Sequence, residues 1–358
     1  MTIILTRRSF AGLAVAAVGA SLTAACGGGN SAGSGSTALE KTTVSIGLGK
    51  DPGLAPQMVA IDKGFLKAEG FTDIKTSTYD AGALSGPALA AGEIDLWGPG
   101  DLPPINMRHN GVPIVVTGTS ASGWSEKLVV RDDATIATAQ DLTKIKIGSL
   151  TGATSSTVAN LEKLNGLPAN SIKAVNLSPA EQLVALANNE IQGIITWNPW
   201  PAQFQAKYPD VKVKYIWEQN TSHFPWAMDK PMLASYAPML FVLREDYIKD
   251  NPNSSSAVMR AMFKAQAWLQ DKANRTEAIQ IFAKYSGYDP ALIDKFWDDY
   301  DFTPNLDQAY LDDMNSYTKF LADTGAIKNP QNPISYTDTA FVKAYNPSLV
   351  TFDGGWKP

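Results

Sequence analysis

Apolar side chains recur along this chain in two rhythms, one of period two and one of three to four, which mark strands and helices. Thr43–Gly49 (TVSIGLG) opens as a strand, and 56–66 follows as a helix with Val59, Phe65 and Leu66 facing the core. Residues 74–79 read as a strand, 83–91 as a short helix ended by Gly92, and 93–97 as a strand entering Gly98-Pro99-Gly100-Asp101. Asp101 is placed to cap the next helix, with Pro103 just inside it. Residues 113–117 and 127–130 are apolar strands. After 144–164 come strands at 172–176, 191–197 and 211–217, with helix starts at Ser178-Pro179-Ala180-Glu181 and at Asn198-Pro199-Trp200-Pro201. Residues 239–243 read as a strand returning to the first lobe, and 247–323 as almost entirely helical. Strands alternating with helices predict α/β lobes with largely parallel sheets.

The stretch 144–164, KIKIGSLTGATSSTVANLEKL, organises this reading. Ile145 and Ile147 alternate with lysines. A loop of small and hydroxyl residues follows, and Val158, Leu161 and Leu164 then recur at helical spacing. A helix start exposes unpaired N–H groups and carries roughly half a positive charge. Gly152, Ala153, Thr154 and Ser155 can therefore grip a small anion without a Lys or Arg. An ordinary turn with Thr154 or Ser155 as N-cap produces the same pattern. The segment Leu89-Ala90-Ala91-Gly92-Glu93-Ile94-Asp95 is echoed by Leu186-Ala187-Asn188-Asn189-Glu190-Ile191-Gln192, which suggests two similarly built lobes. Ligands of open α/β sheets bind at the carboxyl ends of strands, so Gly98–Asp101 and Thr196–Trp200 are expected on opposite jaws of one cleft.

The front end reads as an address. Arg7 and Arg8 are the only charges in residues 1–25, and an Ala-rich run ends at Cys26. This is a secretory signal, too short to span a bilayer comfortably. Thr6-Arg7-Arg8-Ser9-Phe10 resembles a twin-arginine signal, although Ala11-Gly12 leaves the general export route open. Leu22-Thr23-Ala24-Ala25-Cys26 resembles a bacterial lipobox, in which the cysteine is acylated. Cys26 is the sole cysteine of the 358 residues and has no disulfide partner. Gly/Ser-rich residues up to 36 read as a tether. Removing the signal takes two of the 30 basic side chains and none of the 35 acidic ones, moving the net charge from −5 to −7. An acidic chain without basic clusters offers no nucleic-acid surface.

Five stretches together resemble the sulfonate, taurine and nitrate branch of the solute-binding proteins of ABC importers. They are Lys63-Gly64-Phe65; residues 89–97 with Gly100-Asp101 and Pro103-Pro104; residues 125–130; Asp141-Leu142 through Lys146-Ile147; and Ile195-Thr196-Trp197-Asn198-Pro199. They cover most of residues 42–205 in the family's order. The resemblance implies a two-lobe, type II-like periplasmic-binding-protein fold with a ligand cleft between the lobes. A two-strand hinge joins them, and a helical C-terminal segment packs on the first lobe. It implies a signal peptide at 1–25, a tether at 26–41, lobe 1 at 42–131, lobe 2 at 132–235, and a return to lobe 1 at 236–358. The implied protein is a monomeric lipoprotein outside the cytoplasmic membrane. It delivers a small organic anion to a permease, and it is neither an enzyme nor a cofactor or metal protein.

The family's anionic subsite maps to Gly152, Thr154 and Ser155, with Ser156 less firmly matched. Its first-lobe loop maps to Gly100-Asp101, and its Trp-Asp-Pro or Trp-Ala-Pro strand end to Trp197-Asn198-Pro199. Asn198 cannot pair with an amine as a charge, although Asp101 and Glu126 can. Lys50 stands where sulfonate binders often place a Gln; it reaches an anion or is a solvated loop lysine. Trp124 and Trp197, with Ser125 nearby, are candidate cleft walls or core residues. Asp101 reads equally as a cap and as a ligand contact, and Glu126 equally as a hinge acid and as a contact. His109 and His223 are the only histidines, and neither has a partner at metal-ligand spacing. Two other readings stay open. One is an enzyme or precursor-binding protein of thiamin-pyrimidine type, whose synthase chemistry needs a cysteine-rich iron motif. The other is a sensor subunit for a signalling receptor.

Overall fold

Two mixed β-sheets, flanked by helices, account for the alternation. The structure is a computed structural model and describes residues 38–123, 126–218, 221–222 and 237–358. The expected signal, Cys26 and the tether to residue 37 lie outside the described residues, as do Trp124, Ser125, His223 and Trp226.

The strands are β1 Thr43–Gly49, β2 Asp73–Tyr79, β3 Leu96–Trp97, β4 Ile114–Ala121, β5 Glu126–Arg131, β6 Lys146–Ser149, β7 Lys173–Asn176, β8 Gly193–Trp197, β9 Val213–Glu218, β10 Thr221–Ser222 and β11 Met239–Arg244. The first sheet has the order β2-β1-β3-β11-β4, and the second β10-β9-β5-β8-β6-β7. Parallel pairing covers β1 with β2 and β3, and β6 with β7 and β8. The sheets are less parallel than expected because β11 and β5 run antiparallel to their neighbours. Each of these two strands is where the chain arrives from the other sheet.

β5 corrects the expected boundary at residue 131. It lies inside the second sheet, with Glu126 opposite Trp197 and Leu128 opposite Ile195. Leu128 and Val130 pack with Ile147, Ile195 and Ile216. Alternation identified the strand but carried no information about which sheet would pair with it. The crossing falls between β4 and β5.

The helix expected over 56–66 breaks into Ala55–Asp62 and Phe65–Ala68, because Gly64 adopts φ 72°. The predicted helical run to 323 is also interrupted. Gly287 ends the helix Arg275–Ser286 in the left-handed region, and only short turns follow before Gln308–Asp323. This interruption carries Asp299 and Tyr300 to the cleft. The helix Pro252–Gln270 lies on the first sheet, where Gln266 Nε2 donates to the carbonyls of Thr119 and Ser120, each at 2.9 Å.

The internal echo is structural. Gly92 and Asn189 both take left-handed conformations, with φ 76° and 60°. Glu93 donates to Ala88 and Glu190 to Ala185, both at 2.9 Å, so each copy ends its helix the same way.

Candidate functional site

The carboxyl ends of β1, β2, β3, β6 and β8 converge on a cavity of about 380 Å³, mouth included. Asp51, the loop 81–83, Gly100, Asp101, Pro103 and Met239 line it from the first sheet's side. Ala153 and Trp197 line it from the second's. The floor is built from glycine. A Cβ on Gly82 would stand 1.9 Å from the Gly98 carbonyl oxygen, and one on Gly49 would stand 2.7 Å from the Gly82 nitrogen. Three strand ends are therefore pressed backbone to backbone.

Two carboxyls enter this cavity. Asp51 follows β1 and caps a short turn, its Oδ1 accepting from the Gly53 N–H at 2.8 Å. The Tyr300 hydroxyl and the Trp197 indole N–H face it. Burial pushes its carboxyl up to about 7. Asp101 caps Leu102–His109, its Oδ1 accepting from the Leu102 N–H at 2.6 Å, so it is a cap and a cavity residue at once. Its Oδ2 is buried without a partner at hydrogen-bond geometry, and the Asp313 carboxyl shares its surroundings. Burial raises Asp101 to about 6.

Behind Asp101 stands Asp313, on Gln308–Asp323. Burial and the neighbouring Asp101 charge push Asp313 up to about 9. Glu126, at the start of β5, accepts from the Thr157 hydroxyl, and burial with Asp101 nearby raises it to about 8. Tyr317 faces the same three acids.

The remaining expected residues fall out as follows. Lys50 does not line the cavity; its ammonium pairs with Asp80 at 2.9 Å, and the next residue, Asp51, points in instead. Asn198 is buried and its amide donates to Asp299 at 3.4 Å, outside the lining. Trp197 is a cavity wall. Its counterpart Trp97 is fully buried and donates to the Gly82 carbonyl at 2.7 Å.

The anion grip expected at 152–155 is only partly taken up by its own loop: no acceptor among the described residues takes the Ser155 and Ser156 amides, in the first turn of the helix Ser155–Leu164, and Ser156 Oγ is buried without a hydrogen-bond partner. The Ala153 and Thr154 amides both donate to the Leu150 carbonyl, at 3.0 and 2.9 Å. The Gly152 amide donates to Ser155 Oγ at 3.3 Å, which occupies the exposed Ser155. Gly152 lies in a shallower outer groove with Thr151 and Pro103. The loop folds on itself because Thr154 Oγ1 is buried between the Leu150 N–H at 2.9 Å and Ser149 Oγ at 2.8 Å. Thr154→Ala is therefore expected to cost about 1–2 kcal/mol of stability by leaving buried groups unpaired. Ser155→Ala is expected to stay within about 0.5 kcal/mol. Thermal melts of the two variants check this, and equal losses would contradict the loop geometry.

Sequence reasoning missed Asp51, Gly82, Tyr300 and Asp313. Asp-Pro-Gly at 51–53 was a legible capping signal. Nothing local marked the other three, which reach the site through folding.

Residues 103–283 match the NMT1-like family. The chain belongs to that family. Relatives of this NMT1-like chain include the nitrate/nitrite binding protein NrtA of Nostoc sp. strain PCC 7120, 23% identical over 72% of this chain. The alignment spans 60% of that relative's length. The taurine-binding periplasmic protein of Escherichia coli K12 is 26% identical over 72% of this chain and 78% of its own. Among solved structures, the alkanesulfonate-binding protein SsuA from Xanthomonas axonopodis pv. citri bound to MOPS superposes with a TM-score of 0.67 at 19% identity, covering 84% of this chain and 99% of that one. The desulfurization enzyme DSZB shares the fold, with a TM-score of 0.60 at 14% identity over 86% and 99% of the two chains. The fold is that of the periplasmic binding proteins.

Proposed function

We propose that this protein is an extracytoplasmic solute-binding protein of an ABC importer. The two sheets act as lobes, which close on a small ligand and present it to a permease. The supporting observation is the cavity itself, walled from one sheet by Asp51 and Asp101 and from the other by Trp197 and Ala153. A ligand touching both walls favours closure, which is how a binding protein reports occupancy. Its relatives bind nitrate, nitrite and taurine, and a structural neighbour is an alkanesulfonate-binding protein. A lipid anchor on Cys26, export across the cytoplasmic membrane and a monomeric state complete the reading. The fold also hosts an enzyme, but the described lining contains no Ser–His or Cys–His pair from which covalent catalysis starts.

Titrating the full chain with candidate solutes while following tryptophan fluorescence tests this. A saturable change that Trp197→Phe diminishes is expected. No change with any solute, including compounds released from the natively purified protein, would count against a receptor role.

A further inference from the structure

We propose that the ligand carries a group positively charged at neutral pH, an ammonium or comparably basic nitrogen, seated between Asp51 and Asp101. This rests on the receptor reading and names the chemistry of its ligand.

The two carboxyls come from different loops into one cavity, and each side chain is only 3% exposed. Among the described residues, no Lys or Arg pairs with either, and the lining holds no Lys, Arg or His. The sequence neighbour Lys50 is turned away to Asp80. The titratable groups facing Asp51 are Tyr300 and Tyr288; those facing Asp101 are Asp313, Glu126 and Tyr317. All are acids or phenols. Asp101 Oδ2 is buried without a partner at hydrogen-bond geometry, and the one side chain that faces it closely enough to share a proton is the Asp313 carboxyl, not a cation.

A buried carboxylate without a cation is costly, and a second negative charge brought beside it would add to the cost. A cation between the two offsets both. The raised carboxyls fit this arrangement, since an incoming cation would return them to their ionised form. The Ala153 and Thr154 amides are occupied within their own loop, while those of Ser155 and Ser156 have no acceptor among the described residues. The proposal therefore adds a basic nitrogen to the small organic anion expected from the sequence, which makes the ligand a zwitterion.

The test uses the full chain and matched probes that differ by one ammonium group: taurine against ethanesulfonate, and β-alanine against propionate. Calorimetric titration at about pH 5.5 and 7.5 is run beside mass spectrometry of small molecules retained through native purification. The ammonium member is expected to bind about tenfold tighter or better. Its affinity is expected to rise with pH as the carboxyls ionise, and Asp51→Asn and Asp101→Asn are each expected to weaken it about tenfold with near-UV circular dichroism unchanged. A retained compound with a basic nitrogen also supports the proposal. Equal or tighter binding of ethanesulfonate or propionate, or a retained ligand without a basic nitrogen, overturns it while the receptor reading stands. Silence from every probe with nothing retained removes both.

Discussion

Raising the pH from about 5 to 8 is expected to destabilise the ligand-free protein, lowering its melting temperature by about 5–10 °C. Asp51, Asp101, Glu126 and Asp313 are raised to about 7, 6, 8 and 9, with burial the largest cause for each. The sign follows from proton counting. An acid whose folded value lies above its unfolded value binds more protons in the native state across that interval. Stability is therefore greatest near the unfolded values, and it is lost as pH climbs through the folded ones. The carboxylates held low, such as Asp133 beside Arg131 and Glu181 at its helix cap, act in the opposite sense. Their contribution changes only below about pH 4.5, outside this interval.

Each tenfold change in a carboxyl's proton affinity between the unfolded and folded chain corresponds to about 1.4 kcal/mol. Asp51→Asn and Asp101→Asn should each recover about 1–3 kcal/mol near pH 8, the same substitutions that should weaken ligand binding. Thermal melts of wild type and both variants across the interval check this. A flat or rising melting temperature would mean that these carboxyls are not buried unpaired in solution.

Gly82→Ala is expected to cost about 3 kcal/mol or more and to abolish ligand binding. Its new methyl would meet the Gly98 carbonyl oxygen at 1.9 Å, and that oxygen belongs to backbone rather than to a movable side chain. The Gly82 carbonyl is itself held, accepting from Trp97 Nε1 at 2.7 Å and from Ser85 Oγ at 2.8 Å. Relief requires the 81–83 loop to separate from the loop carrying Gly100 and Asp101, and both line the cavity. Gly152→Ala is the control. Its φ is 81°, but nothing lies within 4 Å of the added methyl, so only the backbone strain of about 1 kcal/mol applies. Urea midpoints and a binding titration distinguish the two. A Gly82→Ala variant as stable as Gly152→Ala would refute the packed glycine floor.

The site was less legible than the fold. Strand and helix periodicities are local properties of consecutive side chains, so β1 appears where its alternation places it and the paired helix ends at Gly92 and Asn189 share one geometry. Trp97 and Trp197 each end a strand two residues before a proline, and both are buried, yet only Trp197 also walls the cavity. Residue type and the following proline are shared; which surface meets each ring is not written in either stretch. The 152–155 loop shows the converse. Its composition suited an anion, and its own hydroxyls and the Leu150 carbonyl took up the amides of 152–154 but not those of Ser155 and Ser156.

By itself, the sequence determined the alternation of strands and helices, the echo between the two helix ends and the family resemblance, because each is written in residues near one another along the chain. Tertiary structure alone decided that β5 joins the second sheet, and that Asp313, more than two hundred residues from Asp101, faces it across the back of the cleft. It also decided the electrical character of the cavity. Burial and the company of other acids raise a carboxyl's proton affinity, and both depend on which distant surfaces fold together.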